Sequence, residues 1–291
     1  MKTRKVLLAC ILIAVIGIAS IFGWVIWGNT TVKTTKYTIE NSRIPEKFSG
    51  YRIAQVSDLH NTEFGTGNRQ LLRKLKKAEP DIIVITGDLI DSGETNVQIA
   101  TDFCKEALKI APVYYVSGNH DVWAEEYLQL CDELMKIQVN VLNDRPERIW
   151  VDDDSIFLVG IQDLESRKLL PEETQALYDS DKMDKLIQDL IPTDRYTVLL
   201  SHRPEFFTEY VESGVDLVLT GHAHGGQIRV PFIGGIYAPY QGFFPEYDSG
   251  TYTQNQTTMV VSKGLGNGTP VPRINNPPEI VIVELKSEIS R

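Results

Sequence analysis

Five histidines occur in the 291 residues, and all five follow short apolar, β-like runs. They stand in Asp58-Leu59-His60, Gly118-Asn119-His120-Asp121, Ser201-His202 and Gly221-His222-Ala223-His224; Gly87-Asp88 has the same form without a histidine. Brought together, these segments offer two carboxylates, one amide oxygen and four imidazoles besides His120. The set contains no thiolate, so it favours hard to intermediate divalent ions: Mn²⁺, Zn²⁺, Fe or Mg²⁺. Asp58, His60, Asp88, Asn119, His202, His222 and His224 are too many donors for one tetrahedral ion, but they suit two ions sharing Asp88. Two such ions about 3.5–4 Å apart clamp a phosphoryl group and generate hydroxide near neutral pH. His120 is then left free with Asp121 next to it. A histidine oriented by a carboxylate beside two cations is suited to protonating a leaving oxygen.

Singly, each segment is ordinary. Gly-Asp and Gly-Asn are common turns, and a lone histidine after a strand is more often a hydrogen-bonded structural residue. Their joint occurrence after five strand-like runs is what points to a metal centre. Those runs are Arg52–Val56, Ile82–Thr86, Val113–Val116, Thr197–Leu200 and Leu217–Leu219, short and rich in β-branched residues. Helical patterns lie between them at Asn68–Ala78, Asn96–Ile110, Val122–Lys136 and Glu205–Ser213, with a charged helical stretch at Lys168–Pro192. The alternation predicts an α/β fold with a substantially parallel sheet. A hairpin around Asp152-Asp153-Asp154-Ser155 and β-like runs at Gln227–Val230, Thr258–Ser262 and Ile280–Leu285 predict a second sheet. Sites in such folds gather at the carboxyl ends of strands, where every candidate donor stands. Asp58 and His60 alternate with Leu59, which on an extended chain points both to one side.

The N-terminus carries its own signal. Lys2, Arg4 and Lys5 precede an uncharged run from Val6 to Trp27, long enough to span a bilayer as a helix. Early positive charges, with no basic cluster after the run, predict a cytoplasmic N-terminus and an exported body. A cleaved signal peptide ending near Ala19 and a lipoprotein box at Leu7–Cys10 fit less well, because the run continues past the first and barely precedes the second. Residues 28–36 read as a linker, and the folded body opens at Tyr37. The chain's formal charge is −10, and with the three early cations set aside the body carries −13. Such a body lacks the electrostatic footprint of a nucleic-acid binder. Three cysteines form neither a disulfide framework nor a zinc knuckle, and Cys104 and Cys131 read as small buried apolar groups.

Other features carry less. Gly264-Leu265-Gly266-Asn267-Gly268 has no helix after it and reads as a turn rather than a phosphate loop. No G-x-S-x-G elbow exists, which argues against a serine hydrolase. Tyr237, Tyr240, Phe243 and Phe244 read equally as an apolar rim near the site or as loop anchors. Arg203, Arg229 and Arg273 are candidates for a second phosphate contact, with ordinary surface arginines as the commoner explanation.

On these five blocks the chain resembles the calcineurin-like metallophosphoesterases, whose pattern D-x-H, G-D, G-N-H-D/E, H, G-H-x-H is matched in full. The resemblance implies a four-layer α/β/β/α sandwich over residues 37–291, tethered by the helix 6–27 with residues 1–5 in the cytoplasm. It implies one ion on Asp58, His60, Asp88 and His224, and another on Asp88, Asn119, His202 and His222. It makes His120 the general acid or phosphate contact and Asp121 its orienting partner. Ile44-Pro45 through Ile53, Gly225 through Pro231, Ser262 through Gly266 and Pro277 through Ile280 look like the family's membrane-associated phosphodiesterase subgroup. That likeness implies hydrolysis of an envelope or lipid-linked phosphoester, such as UDP-2,3-diacylglucosamine, by a metal-bridging hydroxide. Met1 to Lys5 lacks the twin arginine of some relatives, and Ala223 stands where they often carry threonine. A phosphomonoesterase or protein phosphatase, and an inactive metal-binding envelope scaffold, are the competing readings.

Overall fold

The computed structural model describes residues 2–169, 183–191 and 194–288. Helix α1 (Lys2–Thr30) includes the apolar stretch Cys10–Thr30, none of which is buried inside the protein. Twenty-one residues rising about 1.5 Å each span roughly the hydrocarbon thickness of a bilayer. The helix therefore has the length and composition of a membrane span.

Residues 28–36 are not the linker expected of them. The helix continues to Thr30, Val32 is buried, and strand β1 (Lys33–Asn41) begins almost at once. Its alternation of Lys, Thr and Tyr hid the strand, because only one face of this edge strand approaches the core. Its backbone partner is β16 (Glu279–Ser287) from the other end of the chain, in parallel register from Lys33 with Glu279.

Two six-stranded sheets follow. The first has the order β1, β16, β2 (Arg52–Val56), β3 (Ile82–Thr86), β4 (Val113–Val116) and β5 (Asn140–Val141). The second has the order β14 (Gly250–Gln254), β15 (Thr257–Val261), β9 (Leu217–Thr220), β8 (Thr197–Leu200), β7 (Asp154–Gly160) and β6 (Arg145–Val151). Helices α2 (Arg69–Ala78), α3 (Val97–Ala107) and α5 (Tyr127–Lys136) cover the outer face of the first sheet through Leu71, Phe103, Cys104 and Leu130. Helices α6 (Met183–Leu190) and α7 (Phe207–Ser213) cover the second through Ile187, Phe207 and Tyr210. Between the sheets, Ile53, Val84 and Val281 pack with Ile156, Leu158, Val198 and Leu217. The result is the α/β/β/α sandwich. Strands buried on both faces read as continuous apolar runs, which is why β3, β4, β8 and β9 were visible in the sequence.

The run expected as one helix from Val122 to Lys136 is broken. A short α4 (Asn119–Trp123) ends at Ala124, whose extended backbone separates it from α5. The hairpin at residues 149–160 forms as β6 and β7. Of the stretch Lys168–Pro192, residues 170–182 and 192 lie outside the described residues, and α6 occupies 183–190. Cys104 and Cys131 are free and buried.

Gly160 closes β7 where the two sheets meet under the site. A Cβ there would collide with the carbonyl oxygen and Cβ of Leu142 and lie 2.7 Å from Val116 Cγ1. Gly160→Ala is expected to destabilise the protein by about 1–3 kcal/mol, the usual effect of overpacking. Urea unfolding with an unchanged m-value is the measurement; a midpoint equal to that of the native chain would show that the sheets can separate freely.

Candidate metal centre

Every chemistry-bearing segment leaves the carboxyl end of a strand: Asp58 and His60 after β2, Asp88 after β3, Asn119 and His120 after β4, His202 after β8, His222 and His224 after β9. Three come from the first sheet and two from the second, so the centre lies across the seam of the sandwich. All seven candidate donors are buried. Asp58, His60, Asp88 and His224 place one donor atom each within 4.8 Å of one another, as do Asp88, His202 and His222. Asp88 belongs to both groups.

Asp58 and His60 are not on an extended chain, as their spacing suggested. Both have left-handed backbone, with φ of 53° and 47°, and so do Asp88, His222 and His224. Side chains other than glycine adopt this region at a cost of order 1–2 kcal/mol. Backbone bonds between neighbouring loops hold the conformation: Asp58 N donates to Gly87 O at 3.0 Å, His60 N to Asp88 O at 3.0 Å, and Gly221 N to His202 O at 3.0 Å. The carboxylates take part as well. Asp58 Oδ1 accepts from His222 N at 3.0 Å, and Asp88 Oδ1 from His120 N at 2.8 Å.

Ring nitrogens face one another beside the two buried carboxylates. His60 Nε2 is 3.3 Å from His224 Nε2, and His222 Nδ1 is 3.1 Å from His202 Nε2. On three of these rings the other nitrogen is occupied: His202 Nδ1 meets Thr86 O at 2.8 Å, His60 Nδ1 meets Asp91 at 3.1 Å and His224 Nδ1 meets Arg273 at 3.2 Å. Asn119 Oδ1 is buried with no hydrogen-bond partner. An orphaned amide oxygen, paired imidazoles and two buried carboxylates form a donor set that fits divalent cations.

Electrostatics follows from burial. Desolvation raises the Asp58 carboxyl above its ordinary range. Desolvation also opposes ionisation of Asp88, but His202 at 3.2 Å and His60 at 3.5 Å overcome it and hold Asp88 well down. Burial would lower His202, yet Asp88 drives it up to about 10. Burial, followed by the neighbouring cations, keeps His222 and His224 well below their usual value and therefore neutral.

Asp121 does not face His120. Its carboxylate accepts from Ile90 N and Gly118 N, each at 2.9 Å, and so fixes the turn that carries Asn119 and His120. Burial, reinforced by the Asp88 charge, pushes it up to about 7. The groups facing His120 Nδ1 are Ser92 Oγ at 3.1 Å and Asp91 Oδ2 at 3.6 Å. Asp91 also holds His60, and that bond sets its pKa down to about 2. The spacing Gly87-Asp88-Leu89-Ile90-Asp91 was the available signal; two apolar residues curl the chain so that both aspartates reach the centre.

The structure adds several residues that sequence reasoning missed. Glu205 is half-buried, yet both its carboxylate oxygens are shut off from solvent without a hydrogen bond, one of them 3.8 Å from His222 Nε2, which likewise has none. The Trp123 ring lies 5.2 Å from His120. The glycine loop 264–268 is more than a turn: Gly264, at φ 71°, leaves no room for a Cβ against Asp58, and a Cβ on Gly268 would lie 2.7 Å from His60. Beside it runs a polar groove of roughly 830 Å³ lined by His60, Asp91, Glu94, Asn96 and Gly268. None of the three arginines is a free surface group. Arg203 forms a bidentate pair with Asp163, Arg229 pairs with Asp248, and Arg273 is buried among Lys263 O, Gly266 O and His224. Tyr240, itself exposed, has the Arg203 guanidinium 4.3 Å over its ring and lies tilted against His222 at 5.6 Å.

This sandwich and this array of donors are those of a metallophosphoesterase. The model of the calcineurin-like phosphoesterases matches residues 51–226, and the chain belongs to that family. It is 29% identical over 261 residues to the uncharacterized metallophosphoesterase YkuE of Bacillus subtilis, covering 88% of this chain and 86% of that one. It is 28% identical to the bovine (Bos taurus) transmembrane protein with metallophosphoesterase domain, over 86% of this chain and 59% of that one. It is 26% identical to phosphodiesterase YaeI of Escherichia coli, over 81% and 82%.

Two outcomes test the geometry. Asp121→Asn leaves one backbone donor without its acceptor and is expected to cost about 1–3 kcal/mol in unfolding. Asp91→Asn is expected to reduce metal affinity about 10–100-fold through His60, with stability changed little. Unfolding curves and metal content of both variants separate these roles; reversed effects would return the orienting role to Asp121. The pH dependence has a definite sign. His202 holds its proton up to about pH 10, and a cation at Nε2 must expel it. Metal affinity should therefore fall as pH falls, about tenfold per unit for each proton displaced, with proton release on adding Mn²⁺.

Proposed function

We propose that the chain is a dinuclear phosphodiesterase or pyrophosphatase acting on a lipid-linked or envelope phosphoester, with its catalytic body on the extracytoplasmic side of the membrane. The observation that carries the chemistry is that two of three donor groups meet at Asp88, while His120, on the same turn as the orphaned Asn119 oxygen, belongs only to the third, with His60 and Asp91. One ion would be held by Asp58, His60, Asp88 and His224, the other by Asp88, Asn119, His202 and His222. Bound there, two divalent ions supply a Lewis-acid clamp for phosphoryl oxygens and lower the pKa of water.

The protein's own groups do the rest. Asp91 and Ser92 hold the His120 ring by Nδ1, which leaves Nε2 toward Gly268 and the open site. Burial keeps His120 below its ordinary pKa, so the resting ring is neutral at pH 7. An anionic substrate alongside favours the charged form, so the ring takes up its proton together with the substrate and passes it to the leaving oxygen. The polar groove past Asp91 and Asn96 accommodates the hydrophilic side of a diester. Support for a lipid-linked substrate comes from the apolar α1, which joins the body beside the site, and from the diesterase name of YaeI.

The test is hydrolysis of bis-p-nitrophenyl phosphate by the full chain, stripped of metal and then resupplied with Mn²⁺. Activity should return only with metal, and Asp88→Asn should abolish it. His120→Ala should keep its metal but lose about 10²–10⁴ in turnover, least for good leaving groups. Turnover of p-nitrophenyl phosphate alone would make the enzyme a monoesterase, and bound metal without any turnover would make it a scaffold.

A further inference from the structure

Outside α1, the exposed large apolar side chains are unevenly placed. Phe232, Ile233, Tyr237, Tyr240, Phe243 and Phe244 all fall in one short stretch, with Phe232 fully exposed and Phe243 at 74%. The stretch forms two tight hairpins, β10 (Arg229–Val230) with β11 (Gly234–Gly235) and β12 (Tyr237–Ala238) with β13 (Gly242–Phe243). Phe232, Tyr240 and Phe244 have φ of 67°, 59° and 58°, in turn positions where glycine or asparagine is the easier choice. Backbone of this kind is sparsely populated by side chains other than glycine, and here it carries exposed aromatic rings.

The hairpins adjoin the metal centre. Ile236 N donates to Gly226 O at 3.1 Å, next to His224, and Tyr240 lies 5.6 Å from His222. They are also fastened to the segment 273–277: Arg229 N donates to Ile274 O at 3.0 Å, and Asn275 Nδ2 to Arg229 O at 3.2 Å. The same segment receives the end of α1. Asn29 Nδ2 donates to Arg273 O at 2.8 Å, Arg273 N donates to Asn29 Oδ1 at 2.9 Å, and Trp24 and Trp27 share a cleft with Arg273, Asn275 and Pro277.

We propose that the two hairpins dock into the interface of the bilayer that α1 spans, seating the mouth of the metal centre on the membrane surface. The inference rests on α1 being a membrane span. A bilayer is the occupant because one strap joins the hairpins to the residues where α1 would leave it, and a patch of phenylalanines with two tyrosines, Tyr237 and Tyr240, suits that boundary. Attraction is apolar rather than electrostatic, since the body carries −13 and the patch has no cluster of cations. A phosphoester at the lipid–water boundary then reaches the centre without leaving the membrane.

The experiment places the full chain in phosphatidylcholine nanodiscs with plain or brominated acyl chains and reads tryptophan emission. Phe243→Trp should add emission that brominated lipid quenches about twofold or more. Asp153→Trp, on the exposed turn between β6 and β7, should add emission that it does not quench. Quenching of native Trp24 and Trp27 without quenching at residue 243 would overturn the docking while leaving the span intact. Absence of quenching at Trp24 and Trp27 would remove the span and the docking together. No substrate enters the measurement, so a wrong assignment of the reaction leaves its result unchanged.

Discussion

Asp58 and Asp88 are almost completely removed from water, and the site is organised around that fact. An isolated buried carboxylate is heavily penalised, and two close together repel each other as well. The protein answers with backbone amides, from His222 to Asp58 and from His120 to Asp88, and with imidazoles at 3.2 and 3.5 Å from Asp88. Without cations the balance is kept by a proton on His202, which Asp88 holds to about pH 10. Cations held at this candidate centre would be the stronger answer, and binding them would stabilise the folded state because the unfolded chain has no such site. The candidate donors come from both sheets, so occupancy would also fasten the two halves of the sandwich together.

The same anions explain the backbone. Five of the seven candidate donors are residues with left-handed φ, a conformation that short loops reach by curling back on themselves immediately after a strand. Extended segments would send Asp58 and His60 out from the sheet; curled ones turn them inward, where Gly87 O and Asp88 O receive their amides. Close approach of the glycine loop at Gly264 completes the enclosure. Local strain is thus sustained by a network of bonds between loops that are distant in sequence.

The ends of the chain serve the same region. β1 and β16 pair in parallel, and α1 leads directly into β1 with Asn29 bonded to Arg273. Arg273 in turn reaches Lys263 O, Gly266 O and His224. The apolar helix and the candidate donor His224 are therefore separated by one buried guanidinium.

Much of this was legible in the residues alone. Buried strands are continuous apolar runs, and chemistry-bearing residues collect where such runs end, so the five blocks, the α/β alternation and the apolar helix could be read directly, while the four-layer sandwich followed from the family resemblance. What the sequence could not determine were facts of approach between distant segments. The first half of β1, up to Lys36, looked like a linker because an edge strand shows only one apolar face and its hydrogen bonds come from the far end of the chain. Asp121 adjoins His120 in sequence, yet a helical turn directs its carboxylate to Ile90 and Gly118 and leaves His120 to Asp91 and Ser92. Arg203 and Arg273 looked like surface cations, because nothing local reveals the carboxylate or carbonyls that receive them. Residue type and local period determine which elements form and which donors they carry. Only tertiary packing decides which donor faces which, because the partners lie on loops that the chain brings together from opposite sheets.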